Sequence, residues 1–463
     1  MNAAHRLPLA FNAVFAALAP LGAVACAIHP EGESTERDRA TAALRELDGG
    51  GEKDESIEAA TLPPEPQLRD YLRVAFHSDP ELRAAYWTWR AALERIPQEA
   101  SPPNAALTFS YLFSDASMTA WDRTTLGIAN DPMNNLTLPG KLATAGKRAL
   151  AEARAAGHRF EAAKFKLQAE VTSLYLDLAL HGEQLEAQEQ TIALLTLASA
   201  DAESRLRTGL ATQEEALRAR DELEQAQNQE HRLHAQLPLL FTRMNVLIGH
   251  DAGAPVRLPS SLPEPRPLPM GDDELIALAA EKSPELAALA QEVAGREEAL
   301  TMARQQWIPD FGLSFNVMGS VSQSIGGMVI LPLRVEAIRG AIAEAEANLD
   351  AAKASRAKYV RDLAASFVLD LAVLRDTERQ IDLFQRVFVP RAEVIARTVE
   401  SSHAIGRTSI NDVVMARRAA VETAFTLAQL RAEREKALAA IESWSSVDVE
   451  ALHSVRLGSM AAR

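Results

Sequence analysis

The residues with the plainest chemical potential in this chain are two acids in matching surroundings. Glu215 lies six residues after Gly209, within 204–221, and Asp412 lies six residues after Gly406, within 401–420. Each stretch reads as the end of one helix, a glycine turn and the start of another helix. Acids favour the first turn of any helix, because its N-terminal end is electropositive. Their recurrence at one spacing in two places marks the two turns as equivalent parts of a repeated unit.

Other candidate chemistry is weaker. Residues 140–147, GKLATAGK, look briefly like a phosphate-binding loop. They have five residues between the glycines where that motif has four, and Arg148 replaces the required Ser or Thr. His231 and His234 share a helix face, but two ligands without a cysteine or a third histidine make a poor metal site. Met118, Met133, Met318 and Met328 fall near the predicted strands, where ordinary packing explains them better than a soft-metal relay. No Ser/His/Asp set and no nucleophilic cysteine is visible. The chain is therefore not read as an enzyme, and neither a cofactor nor a bound metal is expected.

The elements that must carry the two turns occur twice. Residues 68–95, with Asp79-Pro80-Glu81-Leu82, and 272–305, with Ser283-Pro284-Glu285-Leu286, read as equivalent opening helices 204 residues apart. Each leads into a hairpin. Residues 105–114 put Leu107, Phe109, Tyr111 and Phe113 on one face, and 311–318 do the same with Phe311, Leu313, Phe315 and Val317. That period of two marks strands with one apolar face. Return strands end at Leu138-Pro139 and Leu331-Pro332. Long helices follow: 141–207, without proline and about 100 Å long, and 334–403, with a kink expected at Pro390. After each glycine a return helix runs to Leu247 or Trp444. The predicted organisation is a first repeat over 66–254, a proline-rich link over 255–271, a second repeat over 272–446 and a tail over 447–463.

Composition sets outer bounds. The 463 residues carry a net charge of −15, which argues against a nucleic-acid-binding surface. Aromatics make up only 5 %, which favours long alanine-rich helices over a deep globular core. Residues 9–25 are almost wholly apolar after a short polar start and read as part of a signal peptide over 1–25. Cys26, the one cysteine, follows Ala23-Val24-Ala25. This junction fits ordinary cleavage, and it also resembles a bacterial lipoprotein signal, in which Cys26 becomes the acylated N-terminus. Acylation is the favoured reading, although Ala23 stands where such signals usually have Leu. Residues 26–65, with Gly49-Gly50-Gly51 and Pro63-Pro64, read as a flexible tether. No later stretch offers about 18 continuous apolar residues, so no transmembrane helix is expected.

Four strands with one apolar face cannot stand alone in a bilayer, where each unpaired backbone group costs several kcal/mol. Closed membrane barrels begin at about 8 strands. Two copies of this chain would only reach that number, too tight for an open lumen, whereas three supply twelve. The expected fold class is mainly α with a small β part. It combines a long α-helical barrel with four strands per chain, which complete a twelve-stranded transmembrane β-barrel as a homotrimer. The plain alternative is a soluble antiparallel coiled coil with two ornamental hairpins.

With these features in order and repeated, the chain resembles the TolC-like family of trimeric outer-membrane efflux proteins over about 66–446. The resemblance is carried by the duplicated unit and the paired turns at Gly209 and Gly406. It is carried also by Leu136-Thr137-Leu138-Pro139-Gly140-Lys141 before a long helix and by Trp307-Ile308-Pro309-Asp310 before the third strand. The Pro-Gly-Lys element and the start at Cys26 resemble the lipoprotein branch. The resemblance implies a β-barrel in outer-membrane lipid, an α-barrel across the periplasm, and two partners, a periplasmic adaptor and an inner-membrane pump. It implies a passive exit duct of a tripartite efflux system; the alternative function is a periplasmic coiled-coil adaptor that does not span the membrane. The family's periplasmic gate falls on Glu215 and Asp412. A further acid is common three residues later, but that position is Met415, so this mouth should be less acidic. The aromatic gate position falls on His403, and the basic one is displaced from Thr408 to Arg407. Three copies of Asp412 about an axis would form a cation-favouring ring, and Glu215 with Arg407 would tie neighbouring helices. The exported substrate is not legible.

Overall fold

The computed structural model describes residues 27–48, 62–102, 104–113, 117–130, 138–259, 261–266, 268, 270–320 and 322–447. The expected signal peptide, Cys26 and the tail after Val447 lie outside the described residues. The elements run α1 (Glu33–Leu47), α2 (Leu68–Ser78), α3 (Pro80–Glu99), β1 (Ala105–Tyr111), β2 (Thr124–Asn130), α4 (Pro139–Arg207) and α5 (Gln213–Leu247). They continue with α6 (Asp272–Lys282), α7 (Pro284–Gln305), β3 (Asp310–Met318), β4 (Ser322–Ile330) and α8 (Val335–Leu383). A π turn (Phe384–Phe388) joins α8 to α9 (Val389–Ala404), and α10 (Ile410–Ser445) follows. From α2 onward the same order of elements occurs twice. Among the described residues no helix is long and apolar enough to cross a membrane.

Three local departures from the sequence reading have clear causes. The opening helices are each broken once, at Asp79 and at Ser283. Both residues precede proline, whose ring excludes the helical conformation from its predecessor, and both have extended ψ values, 121° and 116°. The interruption near Pro390 takes the form of the π turn just ahead of it. The third departure is α1. Residues 33–47 fall within the stretch read as a flexible tether, yet they form a helix. Glu33 and Glu36 sit in its first turn and Arg45 in its last, and Ala40 and Leu47 are buried. Arg37 donates to Glu94 at 3.0 Å and to the Leu93 carbonyl at 3.1 Å. Such a polar segment becomes a helix through docking more than through propensity.

The chain divides into two compact units, each drawing on both repeats. One comprises Met1–Ala43, Ala85–Arg159 and Glu285–Tyr359. It holds a four-stranded antiparallel sheet in the order β1-β2-β3-β4. Registry lines up the row Leu107, Ile128, Phe315 and Ile325, and beside it Phe109, Leu126 and Val317. The opposite face carries Thr108, Gly127, Asn316 and Ser324. The apolar rows lie open in the single chain, with Leu107 73 % and Ile325 79 % exposed. The β2–β3 pairing joins the repeats. So does Lys141 at the start of α4, whose Nζ donates to Asp310 Oδ1 at 2.7 Å and to the Ile308 carbonyl at 2.9 Å. The Pro-Gly-Lys and Trp-Ile-Pro-Asp elements thus meet in one ion pair.

The other unit comprises Leu44–Ala84, Phe160–Pro284 and Val360–Arg463. Leu275 and Ala279 of α6 pack with Phe367, Leu371 and Leu374 of α8 and with Ala437 and Ile441 of α10. Buried charge lies close by. Arg266, in the proline-rich link, donates to Glu435 at 2.9 Å and to Glu442 at 2.9 Å, and both acids are buried. Arg434 reaches Glu378 at 3.1 Å, and Arg375 reaches Glu378 and Asp272, each at 2.7 Å. Removing one member of a buried ionic group strands the rest. Arg266→Ala should therefore cost about 3–5 kcal/mol of stability, read by denaturant unfolding of the full-length protein. Lys436→Ala breaks a more exposed pair with Asp177 and should cost no more than about 1 kcal/mol.

Candidate functional site: the paired glycine turns

Both glycine turns belong to the second of these units and share one backbone design. Gly209 and Gly406 take φ values of +71° and +73°, a left-handed conformation open to glycine at little cost. The Leu210 N–H donates to the Arg205 carbonyl at 2.8 Å, and the Gly209 N–H to Leu206 at 3.1 Å. The second turn repeats this, with Arg407 to Ser402 at 2.9 Å and Gly406 to His403 at 2.8 Å. This paired pattern satisfies the last carbonyls of α4 and α9. A Cβ on either glycine would meet nothing within 4 Å, so the constraint lies in the backbone and not in packing.

Three residues beyond each glycine stands the N-cap of the next helix. Thr212 Oγ1 accepts from the Glu215 N–H at 3.2 Å, and Glu215 Oε2 accepts from the Thr212 N–H at 2.9 Å. Ser409 Oγ accepts from the Asp412 N–H at 3.2 Å, and Asp412 Oδ2 accepts from the Ser409 N–H at 2.9 Å. Each is a reciprocal capping box. The spacing of six that singled out Glu215 and Asp412 is therefore the sum of two steps, from glycine to N-cap and from N-cap to the third helical residue. The Ser409 hydroxyl and N–H hold the Asp412 carboxyl below the usual carboxylate range. One oxygen of each acid, Glu215 Oε1 and Asp412 Oδ1, stays clear of its box.

The other two expected gate residues behave differently. His403 Nδ1 lies 2.9 Å from the Thr408 carbonyl, which closes the turn locally. Arg407 is exposed, and among the described residues its side chain pairs with neither Glu215 nor Asp412. The expected Glu215–Arg407 tie is thus not made within one chain. Glu215 is instead engaged by its cap. The arginine that does brace this hairpin is Arg417, which grips both oxygens of Glu400, one at 2.7 Å, and approaches Glu393 at 3.5 Å. The hydrogen bonds from Arg417 hold Glu400 below the usual carboxylate range. Sequence reading passed over this pair, although counting equally outward from the Thr408–Ser409 bond brings Glu400 opposite Arg417. The capping boxes were also legible, as Thr-x-x-Glu and Ser-x-x-Asp.

The two hairpins touch near these turns. Val414, two residues after Asp412, packs with Leu195 and Ala198 of α4 and Ala226 of α5. Beside this contact an open groove of about 320 Å³ is lined by Gln190, Leu194, Leu197, Glu393, Arg417 and Val421.

Comparison with known proteins agrees with this architecture. The family model described as outer membrane efflux protein matches residues 72–250. No curated protein sequence matches the chain. The outer-membrane channel OprN superposes with a TM-score of 0.67 at 19 % identity, covering 83 % of this chain and 90 % of its own. VceC, an outer membrane protein of Vibrio cholerae, gives 0.64 at 19 % identity, covering 82 % and 96 %. The open state of the Neisseria gonorrhoeae MtrE outer membrane channel gives 0.62 at 16 % identity, covering 82 % and 89 %. The chain thus has the fold of the outer-membrane efflux channels and carries their family's sequence pattern through the first repeat. Of these similar proteins, OprN and MtrE are described as outer-membrane channels.

Two outcomes follow from the caps. Thr212→Ala should cost about 1 kcal/mol of local stability, read as faster amide exchange in the first turn of α5. Asp412 and Glu400 have depressed folded pKa values. Their contribution is complete above the unfolded carboxylate range of about 4 and is lost as pH falls through the lower folded values. A nitroxide at the exposed Ile405 should keep its mobility from about pH 7 to about pH 5 and gain mobility below about pH 4.

Proposed function

We propose that three copies of this chain form an outer-membrane channel, the passive exit duct of a tripartite efflux system. The observation that carries this reading is the four-stranded sheet, with one apolar face open and two strand edges free. A periplasmic adaptor has no use for such a surface, whereas lipid outside and a polar lumen inside use both faces. Edge-to-edge pairing of three copies gives twelve strands without leaving any edge in lipid. An inner-membrane pump and a periplasmic adaptor would supply drive and attachment, as the family pattern implies.

Lipid anchoring at Cys26 fits the same placement. The Ile28 N–H donates to the Ala100 carbonyl at 3.1 Å, five residues before β1 begins. Two residues of chain span at most about 7 Å, so acyl groups on Cys26 would enter lipid near that end of the sheet.

Glu215 and Asp412 serve as the acidic mouth. Their capping roles fix the carboxylates at the tip and leave one oxygen of each for passing cations. Opening moves the helices around Gly209 and Gly406 outward. The open state solved for the MtrE channel makes such a state a reasonable one for this fold.

Planar-bilayer recording tests the duct. Purified trimer should give discrete conductance steps, and a preparation that is trimeric yet electrically silent would refute a duct. Asp412→Asn keeps a cap acceptor while removing the charge, and it should reduce cation preference without loss of assembly. Unchanged ion selectivity would exclude Asp412 from the mouth.

A further inference from the structure

We propose that the π turn Phe384–Phe388 is the hinge on which the second-repeat tip hairpin swings, an inference that rests on the channel reading and identifies where the chain bends. The cause of the turn is local. Pro390 has no N–H for the Arg386 carbonyl four residues back, and its ring crowds that carbonyl. The chain responds by widening one turn, in which the Val389 N–H bonds to the Phe384 carbonyl five residues away.

Proline alone does not produce such a turn here. Pro97 and Pro238 both lie inside unbroken α-helices. The equivalent helix of the first repeat, α4, runs 69 residues without interruption. The device therefore belongs to one hairpin of the two. None of its five side chains is buried. Phe384 and Phe388 meet edge to face at 4.9 Å, a contact made within the turn itself.

The segments on either side are fixed. Before the turn, Leu371 and Leu374 sit in the buried cluster with Ala437 and Ile441, and Glu378 is held by Arg434. After it, Glu393 and Glu400 are held by Arg417, so α9 and the start of α10 move as one piece. Bending is left to residues between Glu378 and Glu393, where the helical ladder is already altered. Alongside, α10 is unbroken and takes up the same motion as smooth curvature, which long helices accommodate.

Distances between nitroxide pairs test the hinge. One pair, at Val368 and Ile395, brackets the π turn; the other, at Glu170 and Leu197, spans the same number of residues on α4. All four sites are exposed. The full-length chain is labelled, then diluted with unlabelled chain so that each assembly carries one pair. The 368–395 distribution should be at least twice as broad as the 170–197 distribution. Pro390→Ala should narrow it to the control width and lower channel open probability several-fold, whereas Pro238→Ala should change neither. Equal widths in the wild-type chain would overturn the hinge, as would a Pro390→Ala channel that gates normally with an unchanged distribution. If Pro390→Ala fails to assemble, the wild-type widths decide. A broad 368–395 distribution in a trimer that never conducts would leave the hinge standing and refute the duct.

Discussion

A sheet with two free edges imposes its terms on everything attached to it. β1 and β4 are the outer strands, and the N–H and C=O groups along their outer edges have no ladder partners among the described residues. Water would satisfy those groups but not the apolar rows through Leu107 and Phe109. Lipid would suit the rows but leave the edges unsatisfied, at several kcal/mol for each group. The pairing between copies proposed above meets both demands. The helices must then start from strands already placed on a ring, and Lys141–Asp310 fixes one such start against the sheet.

Charge is handled in two ways along the rest of the chain. In the unit that contains α6 and the proline-rich link, acids and arginines are withdrawn from water and matched to one another, as Arg266 is to Glu435 and Glu442. Such groups add little net stability over apolar packing, but they tolerate few other arrangements. At the tip turns the acids stay in water, and backbone N–H groups are their partners. This keeps the negative charge available while fixing its position, which a charged mouth requires.

Much of this was legible in the sequence, and the reasons for the remainder are physical. The first strand of each hairpin was readable because period-two alternation is a local signal, and the register joins Phe109 and Val317, one from each, in a single row through Leu126 of β2. The glycine turns were readable because a left-handed residue restricts the choice of amino acid so strongly. The broken opening helices were only half readable. Asp79-Pro80 and Ser283-Pro284 were noticed as repeat markers, while their effect on ψ was not drawn out. Helix α1 was missed because its stability comes from partners such as Glu94, 57 residues from Arg37. The network around Arg266 lay beyond reach for the same reason, since 169 residues separate it from Glu435. At the site, the acids were found by spacing alone, and the hydrogen bonds explain that spacing without requiring a gate.

The β2–β3 pairing crosses from one repeat to the other, and this bears on how the chain is put together. A protein made of one repeat would close its barrel from six separate pieces and would have six seams to form by encounter. Fusing two repeats turns every second seam into a bond within one molecule. In the proposed trimer three seams remain, so the orientational freedom lost on association is given up between three bodies and not six. The inner seam is formed when the chain folds, at an effective concentration set by its own link and independent of how much protein the membrane holds.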